Sequence, residues 1–481
     1  MNIKQILPGL ALVSLSLVAQ ANPPTFQNRP PKVPQVRYTD YKLKNGLRVL
    51  LSVDRSAPVI AVSVTYNVGS RDERPGRTGF AHLFEHMMFQ GSGNVGKGEH
   101  MMLIQDNGGT MNGTTNKDRT NYFETLPANQ LDLGLFLESD RMRSLDISQA
   151  NLDNQRAVVQ EEKRQSYDNQ PYGALSETLD GLLYNSFAYK HTTIGSMEDL
   201  NAATLEDVRS FFKTYYAPNN AVLALVGDFN EGEAKKKIEK YFGEIPRQAD
   251  PPAVDMSEPM GTEERRKTIT DSLARQVRYE AAYKTVAGDD ADAPALQVLS
   301  SILSRGRNGR LYKAVTEKKI ASNASAGSQS GRGPGQFSFS ATLSPSNKIE
   351  NVEKAFDEVI STIQEKGVTD EEITKAKTQA ISGAIVGGGG GRGGGGRGGG
   401  GQTALGKANA LSQNAVFFND PGRMNKNLDR VLAVTGADIQ RVAKKYLVKN
   451  NRAVVIVFPE ASPDPEEPMS FMDSLLAGGL K

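Results

Sequence analysis

One stretch of this chain is written twice, and that limits the folds open to it. Thr204-Leu-Glu-Asp207 opens a helical pattern that ends at Tyr215-Tyr216, and Pro218-Asn219-Asn220 and the run AVLALVG follow. Thr435-Gly-Ala-Asp438 opens another that ends at Tyr446-Leu447, followed by Asn450-Asn451 and RAVVIVF. In both copies the tyrosine stands eight residues after the aspartate and the first asparagine twelve after it. A threonine with an acidic residue three positions on is a capping-box start. Offsets shared through cap, tyrosine, asparagine pair and strand point to a duplicated unit rather than to generic helix–turn–strand grammar. The expectation is two similar α+β halves, each closing with a helix, a tight turn and a buried strand.

The rest of the chain fits that division. At 481 residues it exceeds what one core holds. A proline- and charge-rich stretch, 246–263, reads as a linker, which gives an N-terminal domain over 38–245 and a C-terminal domain over 264–459. In the first, LRVLLSV (47–53), VIAVSVTYNVG (59–69), NYFETLP and AVLALVGDF (221–229) read as strands. Helical patterns run from Gly79 to Gln90, from Gln130 to about Asp168 and from Leu205 to Tyr216.

Residues 1–21 have the charged start, short apolar run and Ala-Gln-Ala end of a signal peptide cleaved after Ala21, too short to span a bilayer. Residues 22–37 form an extended leader. The segment GGGGGRGGGGRGGGG (387–401) has too much backbone entropy for helix or strand and reads as a flexible insertion. The stretch after Pro459 reads as a loose tail. A cleaved signal and no later spanning segment place the mature protein in the periplasm or outside the cell.

A formal charge of +2 gives no field that would argue for nucleic acid. The Gly-Arg segment lacks the strand-to-helix setting of a phosphate loop. No cysteine is present, so disulfides, a cysteine nucleophile and a thiolate metal site are excluded. Any transition metal must be held by nitrogen and oxygen.

The whole chain has four histidines, and two fall in one pentapeptide, His82-Leu83-Phe84-Glu85-His86. On a helix, positions i and i+4 share a face with Cβ atoms about 6 Å apart, from which two imidazoles reach one zinc ion. Glu85 projects toward that face, where its carboxylate can take a proton from water. The bland alternative is a buried helix with two core histidines, but two His and a Glu among apolar residues are costly to bury without a purpose. A catalytic zinc also needs a third protein ligand and an open position. The helical run NLDNQRAVVQEEKRQSYDNQP (151–171) offers Glu161 and Glu162. A period of 3.6 groups Val158, Val159 and Glu162 on one side and turns Glu161 and Arg164 to solvent, which favours Glu162 modestly. Asn112 stands in a Gly-rich stretch that reads equally well as a turn, and His100 and His191 read as ordinary loop residues.

GFAHLFEHMMFQGS, GGTMNGTTNKDRTNYFETLP and RAVVQEEKRQSYDNQPYG resemble the M16 peptidases, the pitrilysin and mitochondrial-processing-peptidase family, and the similarity runs from about Tyr38 to Pro459. The resemblance implies tandem α/β-roll domains, mixed or antiparallel sheets with helices packed on one side, arranged as the halves of a clam. It implies one zinc per chain held by His82, His86 and Glu162, the last 76 residues beyond His86, with Glu85 as general base. It places Asn112 where the family's asparagine holds the substrate backbone beside an edge strand, which suits strand addition by a peptide. Seven residues before the ligand glutamate, where the family often has a glutamate supporting the ligands from behind, this chain has Gln155. The family's substrate-gripping arginine and tyrosine of the second half fall at Thr316 and about Ser322, and the second half has no HxxEH. The implied function is an exported zinc endopeptidase acting on unfolded peptides, the catalytic subunit of a pair whose second M16-like subunit supplies the Arg/Tyr grip. The alternative is a catalytically silent binding or scaffold subunit of such a complex.

Overall fold

The computed structural model describes residues 34–345, 347–386 and 402–460. The signal peptide, most of the leader, the glycine-rich segment and nearly all of the tail lie outside the described residues.

Two sheets organise the fold. The first contains β1 (Thr39–Lys42), β2 (Arg48–Val53), β3 (Val59–Tyr66), β4 (Thr110–Thr115), β5 (Thr120–Pro127) and β6 (Ala221–Gly227), in the order β1-β2-β6-β3-β5-β4. The second contains β7 (Arg265–Asp271), β8 (Arg278–Thr285), β9 (Ala321–Gln329), β10 (Gly335–Leu343) and β11 (Arg452–Pro459), in the order β7-β11-β8-β10-β9. Removing β1 makes the two orders correspond strand for strand. β2 runs parallel to β6 as β7 does to β11, and the remaining pairs are antiparallel in both sheets. The first half carries helices α1 (Phe80–Met87), α2 (Glu99–Asp106), α3 (Leu131–Arg143), α4 (Gln149–Lys163), α5 (Leu175–Leu183), α6 (Phe187–Lys190), α7 (Met197–Asn201), α8 (Leu205–Tyr215) and α9 (Glu231–Phe242). The second carries α10 (Ala293–Ser304), α11 (Ile349–Lys366), α12 (Asp370–Val386), α13 (Ala404–Phe418), α14 (Arg423–Ala433) and α15 (Gly436–Tyr446).

The sequence repeat is matched atom by atom. Thr204 accepts from Asp207 N and Thr435 from Asp438 N, each closing a capping box at the start of α8 and α15. Asn220 Nδ2 donates to Tyr215 O at 2.9 Å, and Asn451 Nδ2 donates to Tyr446 O at 2.9 Å. These amides satisfy the last carbonyls of their helices and aim β6 and β11 into the sheet centres, where both runs are buried.

Helices do not cover only one side of each sheet; the halves exchange one each. Ala408, Leu411 and Ala415 of α13 pack on Leu50, Ala61, Val222, Ala224 and Val226 of the first sheet. Reciprocally, Leu179 and Leu183 of α5 pack on Ala282, Ala453, Val455 and Val457 of the second. Polar contacts fix α13 in place: Ser412 Oγ lies 3.1 Å from Ser63 Oγ and accepts from Thr65 Oγ1 at 2.8 Å, while Lys407 pairs with Asp54 at 2.6 Å.

Three expectations need correction. His100 is not in a loop but is the buried second residue of α2. The helical stretch from Gln130 is interrupted between α3 and α4, where Ser148 caps α4. Val158 and Val159 do not share a buried stripe: Val159 is fully buried against α1, whereas Val158, about 100° around the helix, is 43% exposed.

Candidate metal centre

The helix α1 forms because Phe80, Ala81, Leu83, Phe84 and Met87 bury one side of it. Its start is held unusually firmly. The Glu73 carboxylate accepts from Gly79 N at 2.9 Å and from Ala81 N at 2.8 Å, placing a negative group on the positive end of the helix. His191 Nε2 lies 2.9 Å from the same carboxylate. Gly79, at φ 83°, must be glycine, since a Cβ there would stand 2.6 Å from Ile194 O. Asp199 Oδ2 accepts from Thr78 N at 2.9 Å and from Thr78 Oγ1 at 2.6 Å.

On the opposite side of α1, His82 and His86 stand with ring centroids 4.8 Å apart. The packing of α4 on α1 brings Glu162 to both: its Oε2 lies 3.7 Å from His82 Nε2 and 3.4 Å from His86 Nε2. Glu161 points away and pairs with Arg164. Gln155, two turns before Glu162 on the same face of α4, is buried, and its Nε2 donates to Asn154 Oδ1 at 2.7 Å. Arg156 holds α4 by donating to Leu200 O at 3.0 Å and Ala203 O at 2.6 Å.

These three side chains fit a zinc ion. Donors bonded at ~2.0–2.1 Å to one tetrahedral ion stand about 3.4 Å apart, close to the two His–Glu separations. Among the described residues they are the one such cluster of His and carboxylate donors, with ligand atoms all within 4.8 Å of one another. Burial and the neighbouring His86 hold the His82 imidazole down at about 4, so it stays neutral with a lone pair to offer. The Glu162 carboxyl is held low, first by its hydrogen bond with His86 and then, against burial, by both imidazoles. His82 Nδ1 is buried without a hydrogen-bond partner among the described residues.

Glu85 sits beside the cluster, 8% exposed. Burial pushes its carboxyl upward and Glu162 adds to this, while Thr115, His86 and Arg119 pull the other way. Thr115 Oγ1 donates to Glu85 Oε2 at 2.5 Å. The other oxygen lies over Gly113, where an added Cβ would come within 2.8 Å of Glu85 Oε1. The carboxylate is therefore clasped along β4 by a hydroxyl and a missing side chain. β4 itself pairs only with β5 among the described residues, leaving its other edge open. Asn112 is a strand residue on that open edge, exposed, with Oδ1 accepting from Gly113 N at 2.9 Å.

The geometry thus gathers His82, His86, Glu162, Glu85 and Gln155, with Asn112 one strand position from Gly113. Thr316 lies in a π-helical turn and Ser322 on β9, lining with Lys319, Ser344 and Asn347 a cavity of about 400 Å³ in the second half. His191 closes α6 and serves Glu73. Sequence reasoning missed Glu73, Gly113 and Thr115. A glycine between an asparagine and a threonine gives no period to read, and a helix capped by a carboxylate from before the preceding turn leaves no local signature.

Residues 48–196 match the family model for insulinase (peptidase family M16), and residues 202–380 match the peptidase M16 inactive domain. The zinc protease PqqE of Helicobacter pylori is 31% identical over 346 residues, 71% of this chain and 78% of that one. A solved protease from Helicobacter pylori superposes with a TM-score of 0.80 at 28% identity, covering 88% of this chain and 100% of that chain. The periplasmic protease PqqL from Escherichia coli shares the fold, with a TM-score of 0.72 at 18% identity over 89% of this chain and 48% of that chain.

Proposed function

Since the chain belongs to the M16 peptidase family, we propose that it is an exported zinc endopeptidase that cleaves unfolded peptides. We read it as the catalytic subunit of a heteromeric pair. The observation that carries this is the meeting of His82 Nε2 and His86 Nε2 on Glu162 Oε2, with Glu85 clasped beside them by Thr115. In this reading His82, His86 and Glu162 hold zinc, and Gln155 keeps the His86 ring oriented. The bound metal supplies a Lewis acid that polarises the scissile carbonyl and makes water acidic enough to lose a proton near neutral pH. Glu85 takes that proton and later delivers it to the leaving amine. Its upward shift suits it to hold a proton between the two steps. The substrate lies extended against the open edge of β4, as an added strand, with Asn112 reaching its backbone.

Support for export is the signal-like N-terminus; no helix among the described residues is long and apolar enough to cross a membrane. Support for a partner is the occurrence of Thr316 and Ser322 where the family has its arginine and tyrosine. The same substitution favours the second reading, a subunit that binds peptide without cleaving it. The test is zinc analysis and cleavage of an unstructured peptide by the wild type and by Glu85→Gln, alone and with any subunit that co-purifies from the native host. The expected result is one zinc in both proteins and turnover in the wild type alone. A fully active Glu85→Gln protein removes Glu85 as the base, and zinc without any turnover selects the silent subunit.

A further inference from the structure

Two segments of the second half, far apart in sequence, close on the same turn of the first. That turn, residues 116–119, joins β4 to β5. It is built around Asn116, whose Oδ1 accepts from Asp118 N at 2.8 Å and Arg119 N at 2.9 Å. Asp118, 6% exposed, accepts from Arg71 Nη1 at 3.2 Å and Tyr189 OH at 2.6 Å within the first half. Its other oxygen accepts from Arg332 N at 2.9 Å, at the tip of the β9–β10 hairpin. The fit there is close: a Cβ on Gly331 would stand 2.2 Å from Asp118 Oδ2. The Arg332 side chain continues to Asn67.

The neighbouring Arg119 is engaged by the second segment. Its Nε donates to Gln413 Oε1 of α13 at 3.4 Å, and its Nη1 donates to Thr114 O at 2.6 Å and Thr114 Oγ1 at 2.5 Å. Arg119 has no ion pair among the described residues. Its contacts go to the strand rather than to a carboxylate. From Thr114 the path is short: Gly113 lies under Glu85 and Thr115 donates to it.

We propose that Asp118 and Arg119 are positioning residues, through which the β9–β10 hairpin and α13 of the second half fix the open edge strand β4 in the place where it receives a peptide. This rests on the peptidase reading above. It gives the half without metal ligands a task in the reaction that needs no reactive group of its own. β4 both receives the peptide and holds Glu85 through Thr115, so loosening it raises KM and also lowers kcat.

The test uses the full chain with zinc and two variants outside the metal site. Gly331→Ala drives a methyl group into Asp118, and Gln413→Ala removes the α13 contact to Arg119. Gly331→Ala is expected to raise KM for an unstructured peptide about tenfold, the scale of one hydrogen bond to a charged group, and to lower kcat by less, with zinc content kept. Gln413→Ala, the milder change, is expected to raise KM a few-fold. Backbone amides of residues 110–120 should exchange faster with deuterium in both, while those of β6 and α8 stay unchanged. Unaltered KM and unaltered exchange in Gln413→Ala overturn the proposal. So does a loss of kcat and zinc in step with melting temperature, which marks a contact that only stabilises. Should the wild type cleave nothing, alone or with its co-purifying subunit, the peptidase reading fails, and local exchange at 110–120 still decides whether the second half fixes the strand.

Discussion

α1 and α10 occupy the same place in the order of elements of their halves, between β3 and β4 and between β8 and β9, yet only one of them carries a histidine pair. In α10 the inward positions are Leu296, Leu299 and Leu303, each at most 1% exposed, and the helix is closed by packing. In α1 the packed side is likewise apolar, and another side carries His82, Glu85 and His86. The supports differ as much as the side chains. Glu73 binds the first amides of α1, whereas Asp292 at the start of α10 takes Tyr446 OH at 2.7 Å, Arg441 at 2.6 Å and Lys445 at 3.0 Å. Strand-to-helix contacts also differ in aim: Thr115 of β4 donates to the carboxylate of Glu85, while Ser304 of α10 donates to Ala326 O of β9 at 2.8 Å. One scaffold thus serves two ends, and what separates them is a carboxylate anchor, a glycine and a hydroxyl around one buried carboxyl and two half-buried imidazoles.

That contrast can be broken experimentally, beginning with the largest effect. His86→Ala should empty the metal site and reduce peptide cleavage by at least ~10³-fold, the scale of losing a catalytic group with its metal; metal analysis that still finds one zinc per chain would refute the ligand assignment. The matching change in the other half, Leu299→Ala, should cost about 2–5 kcal/mol of stability through the cavity it leaves, while zinc content at temperatures below unfolding stays whole. Urea titration and metal analysis read both.

The edge strands offer the next comparison. Gly113→Ala should lower kcat about tenfold or more by pushing Glu85 off its position, since side-chain misplacement at a reacting centre is felt strongly. Gly327→Ala in β9, where a Cβ meets only Ser338 Oγ at 3.4 Å, should leave kcat untouched. Equal effects would mean that β4 has no special relation to Glu85. Smallest are the duplicated caps. Thr204→Ala and Thr435→Ala should each cost about 1 kcal/mol, and markedly unequal losses in thermal unfolding would show that the two copies have drifted apart in energetics.

Much of this was legible in the sequence because it is local. Capping boxes, the tyrosine-to-asparagine spacing and the i,i+4 histidines all act within a few residues, and each reappears in the structure at its expected place. Helical phase favoured Glu162 over Glu161 only modestly and the family resemblance named it; its Oε2 lies 3.4 Å from His86 Nε2. The same reasoning misjudged Val158, because phase alone does not tell which flank of a helix the neighbouring helix covers. β4 escaped notice as a strand: TMNGTT has neither β-branched alternation nor an apolar face, and it becomes a strand only through pairing with β5. The exchanged helices α5 and α13 were beyond any local signal, since their partners lie in the opposite half of the chain.

That exchange also sets an order of assembly. The face of the first sheet formed by Leu50, Ala61, Val222, Ala224 and Val226 can be covered only when Ala404–Phe418 is available, well over a hundred residues downstream. Until then a complete set of strands presents a bare apolar surface, the kind of surface that holdase chaperones bind and that aggregates when unattended. A chain cut short before α13 would be a nearly finished sheet with no lid, so the glycine-rich segment just upstream of that helix is a poor place for a protease to find it.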